Sequence, residues 1–161
     1  MNAVAKTVEM PRCPYCTRLA LFLTSSETVY NGRDFGPLWI CVPCQAWCGV
    51  HKGTREPLGR LADATLRRAK MSVHSVFDPL WKDVMSAYQD AGVPLNVLLR
   101  IGRTRAYQWL AHHLHIPFDD CHVGMFDVPT CQRAVEVIDR LKPTPSTIRT
   151  WAKARRAEVS R

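Results

Sequence analysis

Two pairs of cysteines constrain the first third of this chain more than any other feature. Cys13-Pro14-Tyr15-Cys16 and Cys41-Val42-Pro43-Cys44 are matched C-x2-C knuckles with 24 residues between them. Two intervening residues let both thiolates of a knuckle reach one tetrahedral ion, while amides in the turn offset their negative charge. Two such pairs fill four positions and leave none for water. The expectation is therefore one structural Zn2+ held by Cys13, Cys16, Cys41 and Cys44. The surrounding segment is too short and polar to build a core unaided. Zinc binding of this type contributes about 10–16 kcal/mol in small zinc peptides, comparable to the stability of a whole domain. Cys44-x3-Cys48-x2-His51 also has ligand-like spacing, so Cys48 or His51 is the alternative fourth ligand. The preferred reading buries Cys48 as a small residue and leaves His51 at the surface.

The chain has seven cysteines, an odd number. Residues 1–12 lack the apolar core of a signal peptide, and no stretch approaches a membrane span. These features predict a cytoplasmic location, where clustered thiols bind metal more often than they pair, and no membrane partner.

The net charge is +8, and its distribution says more than its size. Residues 52–70 carry six basic side chains against two acidic ones, and residues 142–161 carry six against Glu158 alone. Residues 71–141 carry six basic and eight acidic groups. The excess thus follows the zinc ligands directly and recurs at the C-terminus. Concentrated positive charge suits a polyanion, DNA or RNA, or an acidic protein face. The predicted nucleic-acid contacts are Lys52, Arg55, Arg60, Arg67 and Arg68, with Arg149, Lys153, Arg155 and Arg156. The run His51-Lys52-Gly53-Thr54-Arg55 has a glycine, a hydroxyl and two fixed charges, which suits a phosphate, although it is no P-loop. Trp39 and Trp47 are either base-stacking platforms or core.

The fold class expected is α+β, with an N-terminal zinc-ribbon-like module of short strands over residues 1–57. A mainly α-helical domain over 58–142 and a basic C-terminal tail or helix over 143–161 follow it. Strands are expected at 20–24, 28–30 and 38–40, with turns at Asn31-Gly32 and Gly36-Pro37. Asp63 is a cap for a helix with Leu66, Ala69, Val73 and Phe77 on one face. Asp78-Pro79 restarts the chain into a helix with Trp81, Val84, Met85 and Tyr88 that stops at Gly92. A short apolar segment, 97–101, ends at Gly102. Thr104 caps the next helix, which bears Tyr107, Leu110, Ala111 and Leu114. Asp127 precedes a helix with Cys131, Val135, Ile138 and Leu141. Ser146 caps a terminal helix with Ile148 and Trp151.

Other constellations are weaker. Cys121, His122 and Cys131, with His113 or His115, match no knuckle spacing, and Cys131 lies on an apolar stripe, which favours packing over a second metal site. His112, His113 and His115 fall on different helical faces. His74 and Asp78, four apart, share a face and are the one candidate pair for a catalytic metal, although Asp78 reads better as a cap. The segment 104–126 has a helix-turn-helix outline, but its turn, Phe118 to Phe126, is not basic. Metal-dependent nucleases need clustered carboxylates or histidines at a partly open ion, and the acidic residues here are scattered, which argues against an enzyme.

Several strings together resemble one family. They are Cys13-Pro-Tyr-Cys16, Leu38-Trp-Ile-Cys41, His51-Lys-Gly-Thr54 with Pro57-Leu-Gly-Arg-Leu61, and His74-x-x-Phe-Asp-Pro-Leu-Trp81. Ala106-Tyr-x-Trp-Leu110 and Cys121-His-Val-Gly-Met-Phe-Asp127 complete the set. Over roughly residues 13 to 140 the chain is similar to the zinc-finger-containing domain family carried by bacteriophages, prophages and bacteria. The resemblance implies zinc at the two knuckles and a phage or mobile-element origin, and it supplies no activity. Members often carry a cysteine directly before the histidine of His-Lys-Gly-Thr. Val50 stands there in this chain, which weakens Cys48 or His51 as a fourth ligand. The leading functional expectation is a non-enzymatic accessory protein that binds nucleic acid. The alternatives are a module that inhibits or redirects a host protein, and a metal-dependent nuclease.

Overall fold

The computed structural model describes residues 9–82 and 92–159. The chain forms two compact units, one ending at Arg67 and the other beginning at Arg68. The architecture is α+β, a small antiparallel sheet with the cysteine cluster followed by helices.

The first unit is built on three short strands, β1 (Leu21–Leu23), β2 (Leu38–Cys41) and β3 (Ala46–Gly49), in the order β1-β2-β3. All four residues of the central strand β2 are buried. Its register pairs Trp39 with Phe22 on one side and with Cys48 on the other. Because strand side chains alternate between faces, Trp39 and Cys41 share one face of β2. There they join Cys13, Ala20, Ala46 and Leu61 in the core, with Cys16, Phe22, Cys44, Cys48 and Val50 packed on it. The outer edge of β3 is covered by the chain itself. Leu58 N–H donates to Gly49 O (2.9 Å), and Trp47 and Ala62 exchange backbone hydrogen bonds at 3.0–3.1 Å. This pairing draws residues 57–62 into the zinc-bearing unit and covers the edge that β3 would otherwise offer another strand.

Strand β3 was not foreseen, and the strand expected at 28–30 is a turn. Val29 and Tyr30 both donate their amides to Ser26 O, and Gly32 N–H donates to Glu27 O. Asn31 (φ 52°) and Gly32 (φ 83°) then take the left-handed conformation, which no strand can continue.

The second unit is helical. Helix α1 (Ala64–Lys82) starts where Asp63 Oδ1 accepts the Leu66 amide at 2.8 Å, the expected cap. It does not stop at Asp78-Pro79: Pro79 lies inside it. Proline removes one helical donor, but Phe77 and Leu80 on either side of it are buried, and Asp78 spans the proline through its side chain. Asp78 reaches His74 at 3.1 Å and Lys82 at 2.9 Å. Asp78 is thus a mid-helix partner rather than a cap. Val84, Met85 and Tyr88, expected on the following helix, lie outside the described residues.

Helix α2 (Leu95–Leu114) likewise runs through Gly102 and Thr104, where the sequence suggested a break. Glycine costs roughly 1 kcal/mol against alanine in a helix. Gly102, however, lies on a buried stripe with Leu98, Ala106 and Leu110, and packing outweighs propensity. Two 3-10 turns, Phe118–Asp120 and Val123–Met125, lead to α3 (Val128–Leu141), capped by Asp127 Oδ1 on the Thr130 amide at 2.9 Å. The helix-turn-helix outline therefore holds only these short turns between α2 and α3. Helix α4 (Pro145–Val159) is capped by Thr144 rather than Ser146, because Thr144 and Thr147 exchange backbone-to-hydroxyl bonds at 2.8 and 3.2 Å. Helix α2 packs against both α3 and α4. No helix among the described residues is long and apolar enough to cross a membrane.

Phe77 is fully buried, with its ring 4.7 Å from that of Tyr107. Phe77→Ala is expected to cost about 3–5 kcal/mol, whereas loss of the cap in Asp127→Ala should cost about 1 kcal/mol. Urea unfolding of both variants checks this ranking, and a Phe77→Ala midpoint near wild type would contradict the core described.

Candidate metal centre and basic cleft

The four knuckle cysteines converge. The sulfurs of Cys13, Cys16, Cys41 and Cys44 all lie within 4.8 Å of one another, with Cys16 Sγ and Cys41 Sγ 3.5 Å apart. A tetrahedral ion with Zn–S bonds near 2.3 Å would set its sulfurs about 3.8 Å apart, so the spacing fits zinc. Disulfide sulfurs would lie at about 2.05 Å. In each knuckle the residue after the second cysteine folds its amide back onto the turn: Thr17 N–H donates to Cys13 O at 2.9 Å, and Gln45 N–H donates to Val42 O at 3.2 Å. In both, the residue after the second cysteine is left-handed, Thr17 at φ 62° and Gln45 at φ 48°.

The thiols also show that four sulfurs in this space cannot ionise independently. The Arg18 amide, followed by the Cys44 thiol, pulls Cys16 down to about 7. Its hydrogen bond with Cys16, followed by burial, pushes Cys44 up to about 12. Burial also raises Cys41. A divalent cation removes this conflict by binding all four as thiolates.

These geometric features coincide with a match along the sequence. The zinc-finger-containing domain family matches residues 9–141. The chain belongs to this family. No curated protein and no solved structure matches it. The cluster is thus a single zinc site of a zinc-finger domain, and among the described residues it is the one group of three or more metal-ligating side chains brought together. Cys48 lies on β3, packed against the core, and His51 is exposed on the following loop; neither joins the cluster.

The remaining candidates are placed as follows. Cys121 and Cys131 are buried, and burial pushes Cys121 up to about 12 and raises Cys131, which makes both neutral packing residues. The His122 ring stacks on Tyr107 at 5.6 Å and its Nδ1 accepts the Gly124 amide. His112 faces Trp151 and receives Arg155 Nη2 at 2.7 Å, while His113 lies against Trp109. Of the two tryptophans, Trp39 is core. Trp47 is half-buried beneath the Arg67 guanidinium, 3.3 Å from its ring.

The basic residues divide between the units. Arg67 also donates to Ala62 O (2.6 Å) and Gln45 O (3.3 Å), which ties it to the first unit's framework. Arg60 is half-buried, and Arg68 is exposed on α1. Arg149 and Lys153 are exposed four residues apart on α4, with Arg155 beyond them; the side chain of Arg156 lies outside the described residues.

Lys52 and Arg55 occupy a feature that sequence patterns did not disclose. They line an open cleft of about 940 Å³ together with Phe22, Phe35, His51 and Thr54. Its floor is tied to the sheet. The Trp39 indole N–H donates to Arg55 O at 2.7 Å, His51 N–H donates to Glu56 O, and Thr54 Oγ1 donates to His51 O. Gly53 turns the loop at φ 75°.

Cys41→Ser should leave the protein with little bound zinc and erase amide-exchange protection in β1, β2 and β3, as should chelation of the wild type. Cys48→Ser should retain one zinc per chain. Metal analysis of the purified variants checks both, and loss of zinc from Cys48→Ser would refute the four-cysteine assignment.

Proposed function

We propose that this zinc-binding protein is a non-enzymatic accessory protein of a phage or other mobile element that binds nucleic acid, with the loop 51–55 as its principal contact. One observation supports this above the others: Lys52 and Arg55 project from a loop whose backbone is fixed by the zinc-stabilised sheet. Charges held in place lose little conformational freedom on meeting a phosphate. The α4 residues Arg149 and Lys153, both exposed, add a second basic face. Binding then depends mainly on release of counterions from the phosphate backbone.

The competing reading is a module that docks on a host protein, and the exposed Leu58 at the cleft wall favours it. Nuclease chemistry draws little support. His74 and Asp78 satisfy each other and Lys82 on one helix, with no further carboxylate in that group among the described residues.

Zinc-loaded protein titrated with labelled DNA and RNA across a salt series separates these readings. Neutralising about four phosphates predicts log K falling against log salt with a slope near −3.6 on duplex, or near −2.8 on a single strand. The double variant K52A/R55A should flatten the duplex slope by about 1.8. No binding at low salt, together with a host protein that stays bound at high salt, would transfer the function to the competing reading.

A further inference from the structure

We infer that the cleft of the zinc-bearing unit accepts an unpaired nucleotide of a DNA or RNA strand, its base against Phe35 and its phosphate at Lys52 and Arg55. This inference rests on the nucleic-acid reading above and narrows it to single strands.

Phe35 is the first reason. The residue is 71% exposed, the highest value among the large hydrophobic residues described. Yet its backbone is fixed. Phe35 N–H donates to Ser26 Oγ at 2.6 Å, and Ser26 is fully buried. Asp34 Oδ1 accepts from Ser26 N (3.0 Å), Ser26 Oγ (3.2 Å) and Gly36 N (2.8 Å). The Ser26 amide, then that of Gly36, holds the Asp34 carboxyl below its usual range. Gly36 follows at φ 100°, a conformation that L side chains rarely adopt. The Phe35 ring meets Tyr30 edge-on at 4.9 Å and remains largely exposed where it lines the cleft.

A second aromatic ring is the second reason. Phe22 lines the same cleft with the Arg55 guanidinium 4.7 Å above its ring, and it is itself seated on Trp39 at 5.1 Å. Cation and aromatic ring are thus already combined in the cleft that Phe35 also lines. Lys52, Thr54 and His51 rim the same space. Its volume, about 940 Å³, falls within the range of small-ligand sites. Aromatic walls with a basic rim are how sequence-tolerant single-strand binders combine base stacking with phosphate contact. A base inside a duplex has both faces covered by its neighbours and cannot stack on Phe35. The nearby carboxylate of Asp34 is committed to two amides and a hydroxyl, which lessens its repulsion of a phosphate.

The test measures fluorescence anisotropy of a labelled oligodeoxythymidine, an oligouridine and a matched duplex with full-length, zinc-loaded protein. Phe35→Ala should weaken single-strand binding roughly 5- to 150-fold, the loss of one stacked base. Its zinc content, circular dichroism and salt slope should remain those of the wild type. Phe35→Trp should restore affinity, and Arg55→Ala should flatten the single-strand salt slope by about 0.7. Unchanged affinity in Phe35→Ala, with binding weakened in Lys52→Ala and Arg55→Ala, would overturn the cleft assignment while leaving nucleic-acid binding in place. Equal or tighter binding of the duplex would overturn it too, as would displacement of the strand by thymidine monophosphate at the same nucleotide concentration. Binding of none of the three by wild-type protein would remove both readings.

Discussion

Four sulfurs confined within 4.8 Å are the constraint on which the first unit depends. Without a cation, thiols at that spacing compete for protons, and thiolates repel one another. With zinc they become the centre of the unit. The ligands are not an appendage to its core but a large part of it, because Cys13 and Cys41 are core residues and Cys16 and Cys44 pack beside them. The apolar remainder of that cluster, chiefly Trp39, Ala20, Ala46 and Leu61, is small, and three strands of three or four residues each offer little to order themselves. Metal binding and folding of this unit are therefore one event.

Order then spreads from the sheet to the loops by a few specific hydrogen bonds. Trp39 sits two residues before the ligand Cys41 and reaches across to hold the carbonyl of Arg55. On the other side, buried Ser26 and the Asp34 carboxylate shape the 26–36 loop. Arg55 is thus tied to the zinc-stabilised sheet, and Phe35 is held by the polar contacts of its own loop. The unit resembles a binding site whose ordering cost is largely met before a ligand arrives.

What the sequence disclosed was what short-range chemistry determines. The knuckles were legible because two-residue spacing is itself the geometry of a shared ion, and the Asp63 and Asp127 caps were legible because capping is local. The two misplaced helix breaks had a common cause. Pro79 and Gly102 weaken a helix locally, but buried neighbours in each case hold it together, and burial is a tertiary fact. The 28–30 segment failed for the opposite reason, since Ser26 O gathers its amides into a turn. The cleft could not be anticipated. Phe22 and Phe35 are thirteen positions apart, and nothing in either local sequence says that one ring is seated on a tryptophan while the other, in edge contact with Tyr30, stays largely exposed.

An apolar ring fixed outward has a consequence for the protein as a colloid. Two copies meeting at Phe35 would each bury surface they otherwise leave in water, and such contacts promote self-association. The net charge of +8 opposes that encounter, since like-charged copies repel before their rings can touch. A polyanion bound as proposed would reverse the balance, neutralising the repulsion and covering the ring in the same step. The charge that would draw such a partner toward the cleft would then also be what keeps the molecules apart in its absence.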